Sequence, residues 1–155
     1  MNLTRNLRIE SIARLQPPAP LVASPQQSVR QAVQLMQEHR MGCVCVCDNE
    51  RLLGIFTERD LLKRVLGPGR PLSLTLRECM TPDPVTVKAS EPVAAALRLM
   101  QLGGYRHLPV INENGRPIGI LSVKRIVRYL VEHFPSTVYN LPPDPEGIQR
   151  EREGA

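Results

Sequence analysis

Ser28-Val29-Arg30-Gln31-Ala32-Val33-Gln34-Leu35-Met36-Gln37 returns later in the chain as Pro92-Val93-Ala94-Ala95-Ala96-Leu97-Arg98-Leu99-Met100-Gln101, with Val, Ala, Leu, Met and Gln in register. Val29 to Val93 is an offset of 64 residues. A second match, Leu53-Gly54-Ile55-Phe56-Thr57 against Ile118-Gly119-Ile120-Leu121-Ser122, stands at an offset of 65, so the second copy holds one extra residue, assigned to Gly115. Upstream, Pro20-Leu21-Val22 lies opposite Pro84-Val85-Thr86. The chain is a duplication, and a repeat this short is one supersecondary unit that needs a neighbour to bury its apolar face.

Both copies carry the same local signals. Pro-rich punctuation, Pro17-Pro18-Ala19-Pro20 and Pro82-Asp83-Pro84, leads from a short extended segment into an amphipathic helix. Val29, Ala32, Val33 and Met36 recur at i, i+3, i+4 and i+7, as do Val93, Ala96, Leu97 and Met100. A β-rich run follows, Val44 to Cys47 or Leu108 to Ile111, then a turn at Asp48-Asn49-Glu50 or Asn112-Glu113-Asn114-Gly115. The second strand, Leu52 to Phe56 or Pro117 to Leu121, ends at Thr57 or Ser122, each placed to cap a closing helix, Glu58 to Leu66 or Val123 to Phe134. The pattern predicts an α/β (α+β) fold of two β-α-β-β-α repeats packed about a pseudo-twofold axis, with a cleft between equivalent edges. The expected division is an extension at 1–9, a first repeat at 10–70, a second at 71–134 and a Pro-rich polar tail at 135–155.

Composition narrows the function. Lys+Arg 20 against Asp+Glu 15 gives a net charge of +5, but the basic residues are scattered and aromatics make up 3%, which speaks against nucleic-acid binding. No window approaches the roughly 18 apolar residues of a membrane span. Met1 to Gln16 has no apolar signal-peptide core either, so a soluble cytoplasmic protein is expected. Cys43, Cys45 and Cys47 share one face of a strand, a poor cradle for tetrahedral zinc, and read as small buried hydrophobes rather than metal ligands. Nucleophile elbows, Walker lysines, dinucleotide-binding glycine loops and zinc-protease motifs are all missing, so no catalytic residue and no catalytic cofactor is expected.

The segment richest in chemistry is Gly54-Ile55-Phe56-Thr57-Glu58-Arg59-Asp60. Gly54 permits close backbone approach, Thr57 stands at a helix N-terminus, and Asp60, one turn on, could accept hydrogen bonds from two sugar hydroxyls. The same Thr and Asp could simply cap the helix, worth about 1 kcal/mol each, and on the residues alone capping is the favoured role. Arg106 and His107 divide likewise, between a phosphate grip and a solvated cation beside a half-buried His.

Gly54 to Asp60 resembles the signature of CBS (cystathionine β-synthase) domains, Gly-apolar-x-Thr/Ser-x-x-Asp. Glu78-Cys79-Met80-Thr81-Pro82-Asp83-Pro84-Val85-Thr86-Val87 is similar to the segment that opens such domains, and Tyr105-Arg106-His107-Leu108-Pro109-Val110-Ile111-Asn112 to their middle strand. The resemblance covers residues 10 to 134 and implies a stand-alone, bacterial-type tandem CBS pair. It implies a regulatory module that senses AMP, ADP, ATP or S-adenosylmethionine in a cleft shared by the repeats. Carried over, one site would use Ile55, Thr57, Asp60, Thr81, Val85, Arg106 and His107, with Asp60 on the ribose and Thr57, Arg106 and His107 near the phosphates. The mirrored site departs from the family pattern: Arg125 replaces the ribose Asp below Ser122, and Gly42-Cys43 stands where Arg-His would be needed. That cleft is expected to be empty or to hold something else. The resemblance further implies a homodimer formed through the CBS helices and an effector protein as partner. The alternative is a ligand-free scaffold for dimerisation or partner docking, with Val138, Tyr139 and Leu141 of the tail exposed for it.

Overall fold

The structure, a computed structural model, describes residues 3–133 of the chain and the side chains from Arg5 onward; the expected tail, with Val138, Tyr139 and Leu141, lies outside the described residues. The chain runs α1 (Leu3–Ile9), a 3-10 turn (Ile12–Leu15), β1 (Val22–Ala23), α2 (Val29–His39), β2 (Cys43–Asp48), β3 (Arg51–Thr57) and α3 (Glu58–Asp60), which continues as a π-helix over Leu61–Leu66. It then forms α4 (Leu76–Cys79), β4 (Thr81–Pro82), β5 (Val87–Lys88), α5 (Val93–Gly103), β6 (His107–Ile111), β7 (Pro117–Ser122) and α6 (Val123–His133). Each repeat has the expected β-α-β-β-α order.

Local chemistry accounts for the elements. Ser28 caps α2: its Oγ accepts from the Gln31 N–H at 3.2 Å, and Gln31 Oε1 accepts from the Ser28 N–H at 2.9 Å. α2 buries Val29, Ala32 and Met36, and α5 buries the equivalent Val93, Ala96 and Met100. The β2–β3 turn places Asn49 and Glu50 at φ 47° and 68°, the left-handed pair that lets a two-residue turn follow the strand twist. In the second repeat the longer turn puts Gly115 at φ 78°, where a glycine takes the additional residue without strain. The closing helix of the first repeat was expected to be α-helical throughout. After Asp60 it widens instead: the N–H of Gly67 donates to the Leu62 carbonyl at 2.8 Å, and that of Arg70 to Val65 at 2.9 Å, both five residues back.

One sheet has the order β1-β2-β3-β4 and the other β5-β6-β7; β1 runs parallel to β2 and β5 to β6, and the remaining pairs are antiparallel. The segments leading into the repeats are exchanged. Ile12 and Leu15, which precede the first repeat, are buried in the core of the second with Val93, Leu108 and Leu121. Leu76, Cys79 and Met80, which precede the second, are buried in the core of the first with Val44 and Phe56. β4 accordingly lies on β3, with Thr81 opposite Ile55, and the Ile120 N–H of β7 donates to the Pro18 carbonyl at 2.9 Å. The repeated glycine of the sequence motif makes this crossing possible. A Cβ at Gly54 would stand 2.5 Å from Met80 Sδ and 2.9 Å from the Thr81 carbonyl oxygen, and one at Gly119 would stand 3.1 Å from Pro17 Cβ.

A third cluster joins the halves. Cys43, Cys45 and Cys47 point from one face of β2 into a buried layer with Ile55 and with Ile120 of the second repeat. All three are free thiols, as is Cys79. Burial pushes the Cys43 thiol up to about 12, with the Glu58 carboxylate adding to the rise. Burial raises Cys45 as well, helped by the flanking Cys43 and Cys47. Neutral thiols in such a layer act as small apolar side chains.

Candidate functional site

β3 ends where the two repeats meet, and Thr57 turns the chain into α3. The Thr57 Oγ1 accepts from the Asp60 N–H at 3.2 Å, and Asp60 Oδ2 accepts from the Thr57 N–H at 3.0 Å and from its hydroxyl at 3.1 Å. The capping role weighed from the sequence is therefore realised. The other carboxylate oxygen looks across the exchanged segment. Asp60 Oδ1 accepts from the Thr81 hydroxyl at 3.0 Å and faces Arg64 Nε at 3.3 Å. Arg64 in turn donates through Nη1 to the Met80 carbonyl at 3.0 Å. Among the described residues Asp60 is the one buried charged side chain, 6% exposed. A charge removed from water is costly unless each oxygen is partnered, and here each oxygen has two partners.

The cationic side of the expected site lies next to α3. His107 opens β6 and its ring lies against the start of β2: a Cβ at Gly42 would stand 3.0 Å from His107 Nε2 and 3.2 Å from Glu58 Oε1. Gly42 therefore leaves the space that brings a second-repeat imidazole to the first turn of α3. Burial lowers the His107 pKa from its ordinary value, the Glu58 carboxylate opposes that shift, and the adjacent Arg106 reinforces it. Arg106 is exposed, and its carbonyl accepts from the Val123 N–H at 3.1 Å. Arg59 ties the same corner together by donating from Nη1 to the Gly104 carbonyl at 3.2 Å.

Of the residues expected at one site, Thr57, Asp60 and Thr81 are joined by direct hydrogen bonds. Ile55 lies in the buried layer between the repeats, and Val85 packs, half-buried, on the second core. No hydrogen bond or ion pair joins Arg106 or His107 to Asp60 among the described residues; Glu58 stands on the His107 side of α3. Sequence reasoning missed Arg64, although its i,i+4 spacing from Asp60 was a readable pairing signal. It also missed Glu58 and the close approach at Gly42.

At the mirrored position the side chain turns to the backbone. The Arg125 N–H donates to Ser122 Oγ at 3.0 Å, the counterpart of the Thr57 cap, but its guanidinium reaches the exchanged N-terminal segment, donating from Nε to the Leu15 carbonyl at 2.9 Å and from Nη2 to the Gln16 carbonyl at 3.0 Å. Leu15 and Gln16 correspond, at the offset of 64 that holds upstream of Gly115, to Cys79 and Met80. The guanidinium thus clamps the backbone of the exchanged N-terminal segment.

A separate cavity of about 490 Å³ lies at the opposite end of the sheets, between the turns that hold Glu50 and Arg51 and that hold Asn114 and Arg116, with Asp83 on its wall. Among the described residues no helix is long and apolar enough to cross a membrane, and no three His, Cys, Asp or Glu side chains are grouped to hold a metal ion.

Two α/β units that exchange their lead-in segments, each turning from strand to helix at a hydroxyl cap, define a duplicated two-repeat module. The chain belongs to the CBS domain family, which matches residues 12–67 and 76–132. It is 35% identical over 112 residues to an uncharacterized 17.7 kDa protein of Acidianus ambivalens, a match covering 72% of this chain and 67% of that one. Against a Methanopyrus kandleri protein, 33% identical over 116 residues, the matched stretch is 59% of the relative's length. Among solved structures, a conserved protein from Pyrococcus horikoshii superposes with a TM-score of 0.74 at 26% identity, covering 79% of this chain and 92% of that one. The structure of CBSX2 in complex with AMP superposes with a TM-score of 0.67 at 26% identity, covering 79% and 96%.

Proposed function

We propose that this CBS pair is a regulatory module that binds an adenosyl ligand, AMP, ADP, ATP or S-adenosylmethionine, at one site per chain on the Asp60 side of the molecule. The observation that carries the reading is the buried Asp60 carboxylate, shared between the Thr57 cap of one repeat and Thr81 of the segment leading into the other. An acceptor-only group at a junction of repeats suits a pair of vicinal sugar hydroxyls. Arg106, exposed just before β6, supplies a cation for phosphates, and His107, beside Glu58, a ring N–H that can donate to them. Ile55, Thr57 and Val85 complete the set of contacting residues. The likeness to CBSX2, whose structure holds AMP, supports the ligand class. A ligand that bridges both repeats can shift only those arrangements it binds differently, so its effect is on the angle between repeats or between protomers.

The test is a thermal-shift series with AMP, ADP, ATP and S-adenosylmethionine on the wild type and Asp60→Ala. At ligand concentrations a hundred times Kd the wild type gains about 2.7 kcal/mol of stability, and the variant gains nothing. An equal rise in both proteins would remove Asp60 from the site.

A second reading, a homodimerisation or partner-docking scaffold, is favoured by apolar residues left uncovered on the two closing helices: Leu62 and Leu66 are 62% and 54% exposed, and Val123 and Val127 are 37% and 53% exposed. Sedimentation of the wild type and of Leu62→Glu with Val127→Glu separates the cases. A dimer that the double variant splits, with the adenosyl response intact, assigns these helices to assembly and Asp60 to sensing.

A further inference from the structure

The four partners of Asp60 leave no lone pair for a ligand. A carboxylate offers about four acceptor positions, and Thr57 N–H, Thr57 Oγ1, Thr81 Oγ1 and Arg64 Nε occupy them at 3.0, 3.1, 3.0 and 3.3 Å. A sugar hydroxyl can dock on Asp60 only if one of these partners leaves. The Oδ2 pair belongs to the helix cap and is held by backbone geometry. The Oδ1 pair is side chains, and Arg64 is the freer of the two, with 46% of its side chain exposed against 8% for Asp60.

We infer that Arg64 is a built-in competitor for the sugar position, a guanidinium that occupies Asp60 Oδ1 in the unliganded protein and has to be displaced when an adenosyl ligand binds. The inference rests on the Asp60 reading above and adds what guards that site. Two further observations agree with it. Arg64 lies within the π-helical run Leu61–Leu66 that starts directly after Asp60, and π-turns persist mostly where function retains their poorer packing. The same guanidinium donates to the Met80 carbonyl at 3.0 Å, so its departure also removes one tie on the strand segment, Met80 and Thr81, that leads into the second repeat. Occupancy of the site is thereby linked to the connection between the halves.

The experiment titrates adenosine, a neutral probe on which loss of a positive charge has no direct coulombic effect, into wild type, Arg64→Met and Arg64→Lys by calorimetry. Removing the competitor tightens adenosine binding about fivefold in Arg64→Met, the size expected of a half-exposed ion pair, and Arg64→Lys stays near wild type because its ammonium can take the same place. Equal or weaker adenosine binding by Arg64→Met, with wild-type binding intact, overturns the competitor and leaves the Asp60 site standing. Absence of adenosine and AMP binding in both wild type and Arg64→Met overturns the site reading and the competitor together. Arg side-chain NMR gives an independent readout: the Arg64 Nε–H resonance shifts on saturation with adenosine if the ion pair breaks, and a resonance that stays in place contradicts displacement.

Discussion

Asp60 and Arg125 hold the same place in their repeats, three residues past a hydroxyl cap, and their backbone N–H groups make the same bond, 3.2 Å to Thr57 Oγ1 and 3.0 Å to Ser122 Oγ. Their side chains do opposite things. Asp60 gathers donors from its own cap and from the exchanged segment, whereas Arg125 spends its donors on the Leu15 and Gln16 carbonyls. Backbone pseudo-symmetry is thus kept where packing needs it, at the caps, the glycines and the core, while the side chain three residues past each cap has diverged from an acceptor to a donor.

The comparison can be broken or sharpened by mutation in pairs. The largest effects belong to the core, where the halves should behave alike. Phe56 and its counterpart Leu121 are both 0% exposed, so Phe56→Ala costs about 3–5 kcal/mol and Leu121→Ala about 2–5 kcal/mol in chemical denaturation. Asp60→Ala comes next. It strips the cap and leaves the Thr81 hydroxyl without its acceptor, a loss of about 2 kcal/mol that is accompanied by loss of the adenosyl response. Arg125→Ala costs about 1 kcal/mol, discounted for its partial exposure, raises hydrogen exchange in residues 12–18 and leaves ligand binding unchanged. If Arg125→Ala cost more than Asp60→Ala and also weakened nucleotide binding, the division of labour between the halves would be wrong.

The smallest effect is a pH dependence. His107 holds its proton less readily in the folded chain than in the unfolded one, so its contribution to stability is complete above the unfolded value, about 6.5, and declines as the pH drops toward the folded value. His107→Gln should flatten urea-measured stability between pH 7 and pH 5 relative to wild type; an unchanged slope would show that His107 is not the group responsible.

Much of this was legible before any coordinates. The repeat offset placed both helices and both hairpins, because apolar spacing reports which face is buried and each copy checked the other. The exchange of Ile12 and Leu15 for Leu76 and Cys79 was not legible, since periodicity tells that a residue is buried and not which core receives it. The π-helical stretch was also hidden: Leu61 to Leu66 has ordinary helix-forming composition, and no residue in it marks the widening. At the site, Thr57, Asp60 and Thr81 could be named from motif residues, but the partners of Arg125 could not, because backbone carbonyls more than 100 positions away leave no trace in residue identity.

Calorimetric titration of AMP into the wild type and Asp60→Asn tests the central asymmetry most directly. A stoichiometry of one AMP per chain, abolished by a substitution that keeps the shape of the side chain and removes its charge, is the expected result. Two equivalent AMP molecules per chain, or undiminished affinity in Asp60→Asn, would contradict it.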